Sequence, residues 1–131
     1  MKIALVTEDG QTISHHFGRA LLYVVVTVEN GMVINKETRL KPGHAQFASE
    51  VHLDEPGVQH GYGQHSQQRH RRMAETISDC EVVLCQGMGQ GAYDNLKSMG
   101  IQPIVTELAS IDEAVDSYVA GTIRDHPELL H

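Results

Sequence analysis

Residues 21–40, LLYVVVTVENGMVINKETRL, decide what kind of sheet this chain can build. The stretch up to Glu29 is dense in valine, whose β-branched side chain suits a pleated surface better than a helix. Asn30-Gly31 then supplies the two residues that best tolerate positive φ in a two-residue hairpin, and residues 32–40 return as a partner strand. Strands joined so tightly must be antiparallel. Just upstream, KIALVT at residues 2–7 is a short apolar run closed by Glu8-Asp9-Gly10, which predicts a buried strand ending in a turn.

Beyond the hairpin the pattern changes. Residues 41–65 carry Pro42, Pro56, several glycines and no sustained period, which predicts a long mobile loop. SQQRHRRMAETISD follows with His70, Met73, Ala74 and Ile77 at helical spacing and Ser66 as N-cap. EVVLC is a second buried strand, and QGMGQG leads into a helix with apolar Ala92, Leu96 and Met99, stopped at Gly100. IQPIVT is the next strand. SIDEAVDSYVAG closes the domain, with Ser110 and Glu113 as a capping box and Gly121 at the C-terminal stop. The order is β-β-β-loop-α-β-α-β-α, an α/β mixed sheet covered by helices. Because a helix returns the chain before each later strand, four loops collect on one edge: the SHHFGRA corner, the histidine-rich loop, the glycine turn after Cys85, and residues 106–110. Ligands of open α/β sheets bind at the carboxyl ends of parallel strands, which is this edge.

At 131 residues the chain is one domain, 1–131, long enough to bury a core without staples. Its formal charge of −7 sets the surface against phosphate backbones, so nucleic acid is not an expected partner. The N-terminal apolar run is too short for a signal peptide and nothing approaches a membrane span, so a cytoplasmic location and no membrane partner are expected. Cysteine occurs twice, as Cys80 and Cys85. If EVVLC is a strand, about 3.3 Å per residue separates the two sulfurs by roughly 16 Å on opposite faces, too far for a disulfide or a shared metal. Histidine is the unusual residue: nine occur, and His44, His52, His60, His65 and His70 fall in one stretch of 27 residues.

Imidazole is a borderline ligand for iron, zinc, nickel or copper. In an extended corner His15 and His16 would point to opposite sides, and His16, beside Phe17-Gly18, is the candidate; a turn histidine donating to a carbonyl is the alternative. Glycine at 18 suggests close backbone approach. The loop histidines, including His44, His60 and His65, match no compact zinc spacing but can close over a bound metal, or simply solvate the loop. Gly87, Gly89 and Gly91 offer backbone N–H groups at a helix N-terminus to an anion, without a Walker or dinucleotide fingerprint; tight strand-to-helix packing would equally account for them. Cys85, at the mouth of that turn, is either a soft ligand or core packing. Strand one has no interior carboxylate, only Glu8 and Asp9 at its end, which disfavours a magnesium-dependent nuclease.

Taken together, MKIALVTEDG, SHHFGRA, VVVTVENG, CEVVLCQGMGQGAYDNLKSMGIQPIVTE and IDEAVDSYVAG resemble the dinitrogenase iron-molybdenum cofactor biosynthesis family over residues 1–121. The resemblance implies a three-layer α/β domain with a ribonuclease H-like motif. It further implies non-enzymatic binding or carriage of an iron–sulfur or iron–molybdenum type cluster, with the corner histidine at His16 and the glycine turn at Gly87, Gly89 and Gly91. The expected partners are the cluster and a cluster-donor or acceptor protein. A C-x-x-x-C-x-x-C motif is missing, so the chain is not the radical enzyme that builds the cluster precursor. Two other expectations are a ribonuclease H-like hydrolase using Asp9 and Glu8, and a metal-free anion or small-molecule binding regulatory domain.

Overall fold

The computed structural model describes residues 1–18, 20–40 and 72–130. Along them run β1 (Lys2–Thr7), β2 (Leu22–Glu29), β3 (Met32–Leu40), helical residues 72–75, β4 (Val82–Cys85), α1 (Gln90–Ser98), β5 (Gln102–Val105), α2 (Ile111–Ala120) and a 3-10 turn at Pro127–Leu129. The five strands form one mixed sheet in the order β3-β2-β1-β4-β5. β2 is antiparallel to β1 and β3, whereas β1, β4 and β5 are parallel.

The hairpin is as the sequence predicts. Asn30 and Gly31 have φ of 53° and 77°, the two positive values that match a turn to the twist of its strands. Glu29 pairs with Met32 and Val28 with Val33, after which Thr27 pairs with Asn35, so Ile34 is an extra residue that bulges β3. The predicted helix ends hold as well: Gly100 and Gly121 take left-handed φ of 81° and 75°, and Ser110 Oγ accepts from the Glu113 N–H at 3.3 Å.

Alternation along the strands builds a core on each face. Ala4, Val6, Tyr23, Val25, Val83, Cys85 and Val105 face one way, against Met73, Ile77 and Leu96. Ile3, Leu5, Val24, Val26, Val82, Leu84 and Ile104 face the other, against Ile111, Ala114 and Val115 of α2. Helices therefore cover both faces, which is why the central strands β1 and β4 read as unbroken apolar runs. The edge strand β3 has no fully buried residue. It is clipped to the turn before β4 by Arg39, whose guanidinium meets both Asp79 oxygens at 2.7 and 2.9 Å while Lys2 reaches the same carboxylate at 3.0 Å. The Arg39 guanidinium, with Lys2, holds the Asp79 carboxyl well below the usual range.

The structure corrects the cysteine geometry. β4 begins at Val82, so Cys80 lies in the turn before it and strand parity does not apply. Both thiols are buried in the same core as Tyr23. Burial pushes the Cys80 thiol up to about 12. Of the helix predicted from Ser66, residues 72–75 are helical and Met73, Ala74 and Ile77 are buried as expected, while Ser66, His70 and the predicted 41–65 loop lie outside the described residues. Among the described residues no helix is long and apolar enough to cross a membrane.

Since Gly31 needs positive φ, Gly31→Val is expected to cost about 1–2 kcal/mol in urea denaturation, the penalty for a branched side chain in that region. An unchanged midpoint would contradict the turn.

Candidate functional site at the carboxyl edge

β1, β4 and β5 all end on one edge, and residues 11–17 run across it. The Ile13 N–H donates to the Ala109 carbonyl at 2.7 Å, Ser14 N–H to Val6 at 2.8 Å and Phe17 N–H to Gly87 at 3.1 Å. In return Ser14 accepts from the Gln86 N–H at 2.9 Å and Gln11 from the Ile111 N–H at 3.1 Å. The Gln86 side chain adds a bond from Nε2 to the Leu108 carbonyl at 2.9 Å. Three of the four loops expected together are thus joined by main-chain bonds; the fourth falls on residues outside the described ones.

The approach to this crossing is an Asp9 turn. Oδ1 accepts from the Gln11 and Thr12 N–H groups, each at 2.8 Å, and Oδ2 from the Thr12 hydroxyl at 2.9 Å. These bonds to the ionised form, led by the Thr12 backbone N–H, lower the Asp9 carboxyl from 3.8 to about 2. Thr7, buried beneath, donates from Oγ1 to the Thr12 carbonyl at 2.6 Å. Asp9 thus serves the loop's shape, and Glu8 is exposed beside it.

His15 and His16 are both exposed, while Phe17 is buried at 2 %. The Ser14 hydroxyl accepts from the His16 N–H at 3.0 Å, and the His16 carbonyl accepts from the Ala20 N–H at 3.1 Å, so the chain bends here. The backbone is thus bent here rather than extended, and the ring centroids are 6.5 Å apart with planes tilted 57°. Gly18 is a second correction. A Cβ built on it meets nothing within 4 Å among the described residues, and its φ is not positive, so close approach does not demand glycine.

The three glycines of the turn have different roles. Gly87 is buried and holds the corner through its carbonyl; Gly89 is the N-cap of α1 in extended conformation, with no side-chain cap; Gly91 is exposed in the first turn, which contains no acidic residue. The N–H groups that open α1 therefore face the edge without a competing carboxylate. Cys85 is fully buried in the core with Val6 and Tyr23 and presents no sulfur at the edge in this conformation. His44, His60 and His65 lie outside the described residues. Among the described residues no three His, Cys, Asp or Glu side chains gather as a metal-holding group.

The sequence profile of the family described as dinitrogenase iron-molybdenum cofactor matches residues 1–121, nearly the whole chain. The chain belongs to the dinitrogenase iron-molybdenum cofactor family. An uncharacterized protein of Methanocaldococcus jannaschii, MJ0580, is 29% identical over 126 residues, covering 95% of this chain and 90% of its own. The crystal structure of PH0822 matches with a TM-score of 0.70 at 21% identity, over 98% of this chain and 99% of that one. The apo form of the orange protein from Desulfovibrio gigas gives 0.64 at 20% identity, over 96% and 92%. These likenesses to solved structures show a shared fold. Within this family member, the matched residues include the whole crossing segment and the glycine turn, and the tail lies beyond the match.

The site residues hardest to foresee lie in that tail and beside the histidines. Asp125 Oδ1 accepts from the Val105 N–H at 2.9 Å, its Oδ2 from Tyr93 Oη at 3.2 Å, and the His126 N–H donates to the Val105 carbonyl at 2.8 Å. Together they secure the end of β5, and no periodicity in TIRDHPELLH announces it. Ser14 carried a weak signal, a serine two residues before a histidine, the spacing of a side-chain turn.

The pH dependence of the Asp9 turn follows from its lowered carboxyl. It is ionised in the unfolded chain above 3.8 and in the folded chain above about 2. Its stabilisation is accordingly complete above about pH 5 and lost progressively as pH falls through about 2. In carbon-detected NMR the Asp9 carboxyl is expected to titrate near 2, with the Gln11 and Thr12 amide signals following; titration near 3.8 would contradict the anchor.

Proposed function

We propose that this protein binds and carries a metal cluster of the iron–sulfur or iron–molybdenum type as cargo, without turning it over. Membership of a family described by the iron-molybdenum cofactor supports a link to that cofactor and its biosynthesis. The observation that carries the reading is the Phe17 N–H to Gly87 carbonyl bond of 3.1 Å, which docks the histidine corner onto the turn that opens α1. It puts an exposed imidazole and an uncapped helix N-terminus on one edge. His16 would donate a nitrogen to a cluster metal, and the N–H groups that open α1 would face the cluster's anionic sulfides. The overall charge of −7 opposes an anionic cargo, so the local N–H groups and metal bond must outweigh it.

So small a donor set suits carriage. Among the described residues the donors are one imidazole and weak backbone contacts, which leave positions on the cluster for a donor or acceptor protein to attack. The sheet order β3-β2-β1-β4-β5, with β2 alone reversed, supports the ribonuclease H-like architecture that the family resemblance implies. Hydrolysis by that architecture gains no support from Asp9, whose two oxygens both accept bonds that shape the turn. A second reading, binding of a metal-free anion, is favoured by the α1 N-terminus without side-chain cap.

Anaerobic titration of the apo protein with a preformed iron–sulfur cluster, followed by visible absorbance, separates the two. Saturable binding is expected, weakened at least tenfold in His16→Ala while the thermal midpoint is kept, because the ring is exposed and buries no core area. Equal affinity in the variant would remove His16 from the site; binding of inorganic phosphate with no cluster binding would favour the anion reading.

A further inference from the structure

Resting on this cargo reading, we propose that His15 and His16 form a two-imidazole clamp for a single borderline transition ion, which makes His15 a second ligand at the corner. The backbone bend carries the carrying observation: consecutive rings that would diverge on an extended chain stand 6.5 Å apart, centre to centre, and both are exposed. Two imidazoles on one ion, each bonded at about 2.0–2.1 Å, place their ring centres roughly 5–6 Å apart. Rotation about the side-chain bonds of two exposed residues closes that gap, and among the described residues neither ring nitrogen has a hydrogen-bond partner to give up.

The platform beneath is rigid where it needs to be. The His16 N–H is held by Ser14 Oγ at 3.0 Å, and Ser14 itself is pinned to Val6 and Gln86, the ends of two central strands. The side chains can therefore move while their Cα atoms stay. A pair of neutral imidazoles selects zinc, nickel, copper or ferrous iron and rejects magnesium and calcium, which require oxygen ligands. Among the described residues no third metal-binding side chain joins them, so these two leave the ion's other positions to further donors. A metal at the corner of a cluster could complete its shell there with the cluster's own sulfides; a free ion would do so with water.

The test uses the full chain with nitrogen-15 histidine and zinc ion alone as the probe, the two corner rings being assigned with His15→Gln and His16→Gln. Both ring signals are expected to shift with one shared midpoint, and His15→Gln is expected to raise the His16 midpoint at least tenfold, with magnesium producing no shift. A His16 midpoint unchanged by His15→Gln, or corner rings that stay still while other histidines respond, would overturn the clamp. Its failure is separable from failure of the cargo reading. Cluster binding lost in His16→Ala with uncoupled zinc midpoints removes the clamp alone; coupled zinc binding with cluster affinity untouched in His16→Ala keeps the clamp and removes His16 from the cluster site.

Discussion

Everything at the carboxyl edge depends on the main-chain hydrogen bonds made by residues 11–17. A loop laid across the ends of three parallel strands would bury polar backbone, and each unpaired group there would cost on the order of 1–3 kcal/mol. This one exchanges bonds with Val6, Gln86, Gly87, Ala109 and Ile111, so the ends of β1, β4 and β5 are joined through it. Upstream, the Asp9 carboxylate and the Thr7 hydroxyl shape the turn that delivers the segment in register. The histidine corner therefore inherits its position from the sheet.

That inheritance explains how an exposed pair of side chains can act as a site. Phe17 is buried and its N–H is held by Gly87, so the residues before it are anchored on one side by an apolar ring and on the other by the Ser14 hydroxyl. The histidines themselves are left free of core packing. Ligands on rigid backbone with mobile side chains favour reversible capture, since little folding energy is coupled to binding. The buried thiols do the opposite: Cys80 and Cys85 belong to the core around Tyr23, and their chemistry is closed off by burial.

Much of the architecture was legible because it follows from local rules. Asn30-Gly31, the glycine stops at Gly100 and Gly121, and the apolar runs of β1 and β4 each have one physical solution, and the sheet follows from them. The assembly of three loops on one edge was legible from strand direction alone. What escaped is what depends on backbone path within loops. The 6.5 Å spacing of the His15 and His16 rings required knowing that the chain bends after Ser14, and the true place of Cys80 required knowing that β4 starts at Val82. Asp125 and His126 act through a tail whose docking on Val105 no pattern encodes. Gly18, singled out for close approach, has open space around it among the described residues.

On the proposed reading an imidazole of the corner bonds directly to a metal of the cargo. Pulsed electron paramagnetic resonance on cluster-loaded protein grown with nitrogen-15 histidine tests it at the atom concerned. A nitrogen-15 hyperfine coupling of the size of a coordinated imidazole is expected, absent from the His16→Ala protein. A loaded protein that shows no histidine nitrogen coupling, or the same coupling in His16→Ala, would contradict it.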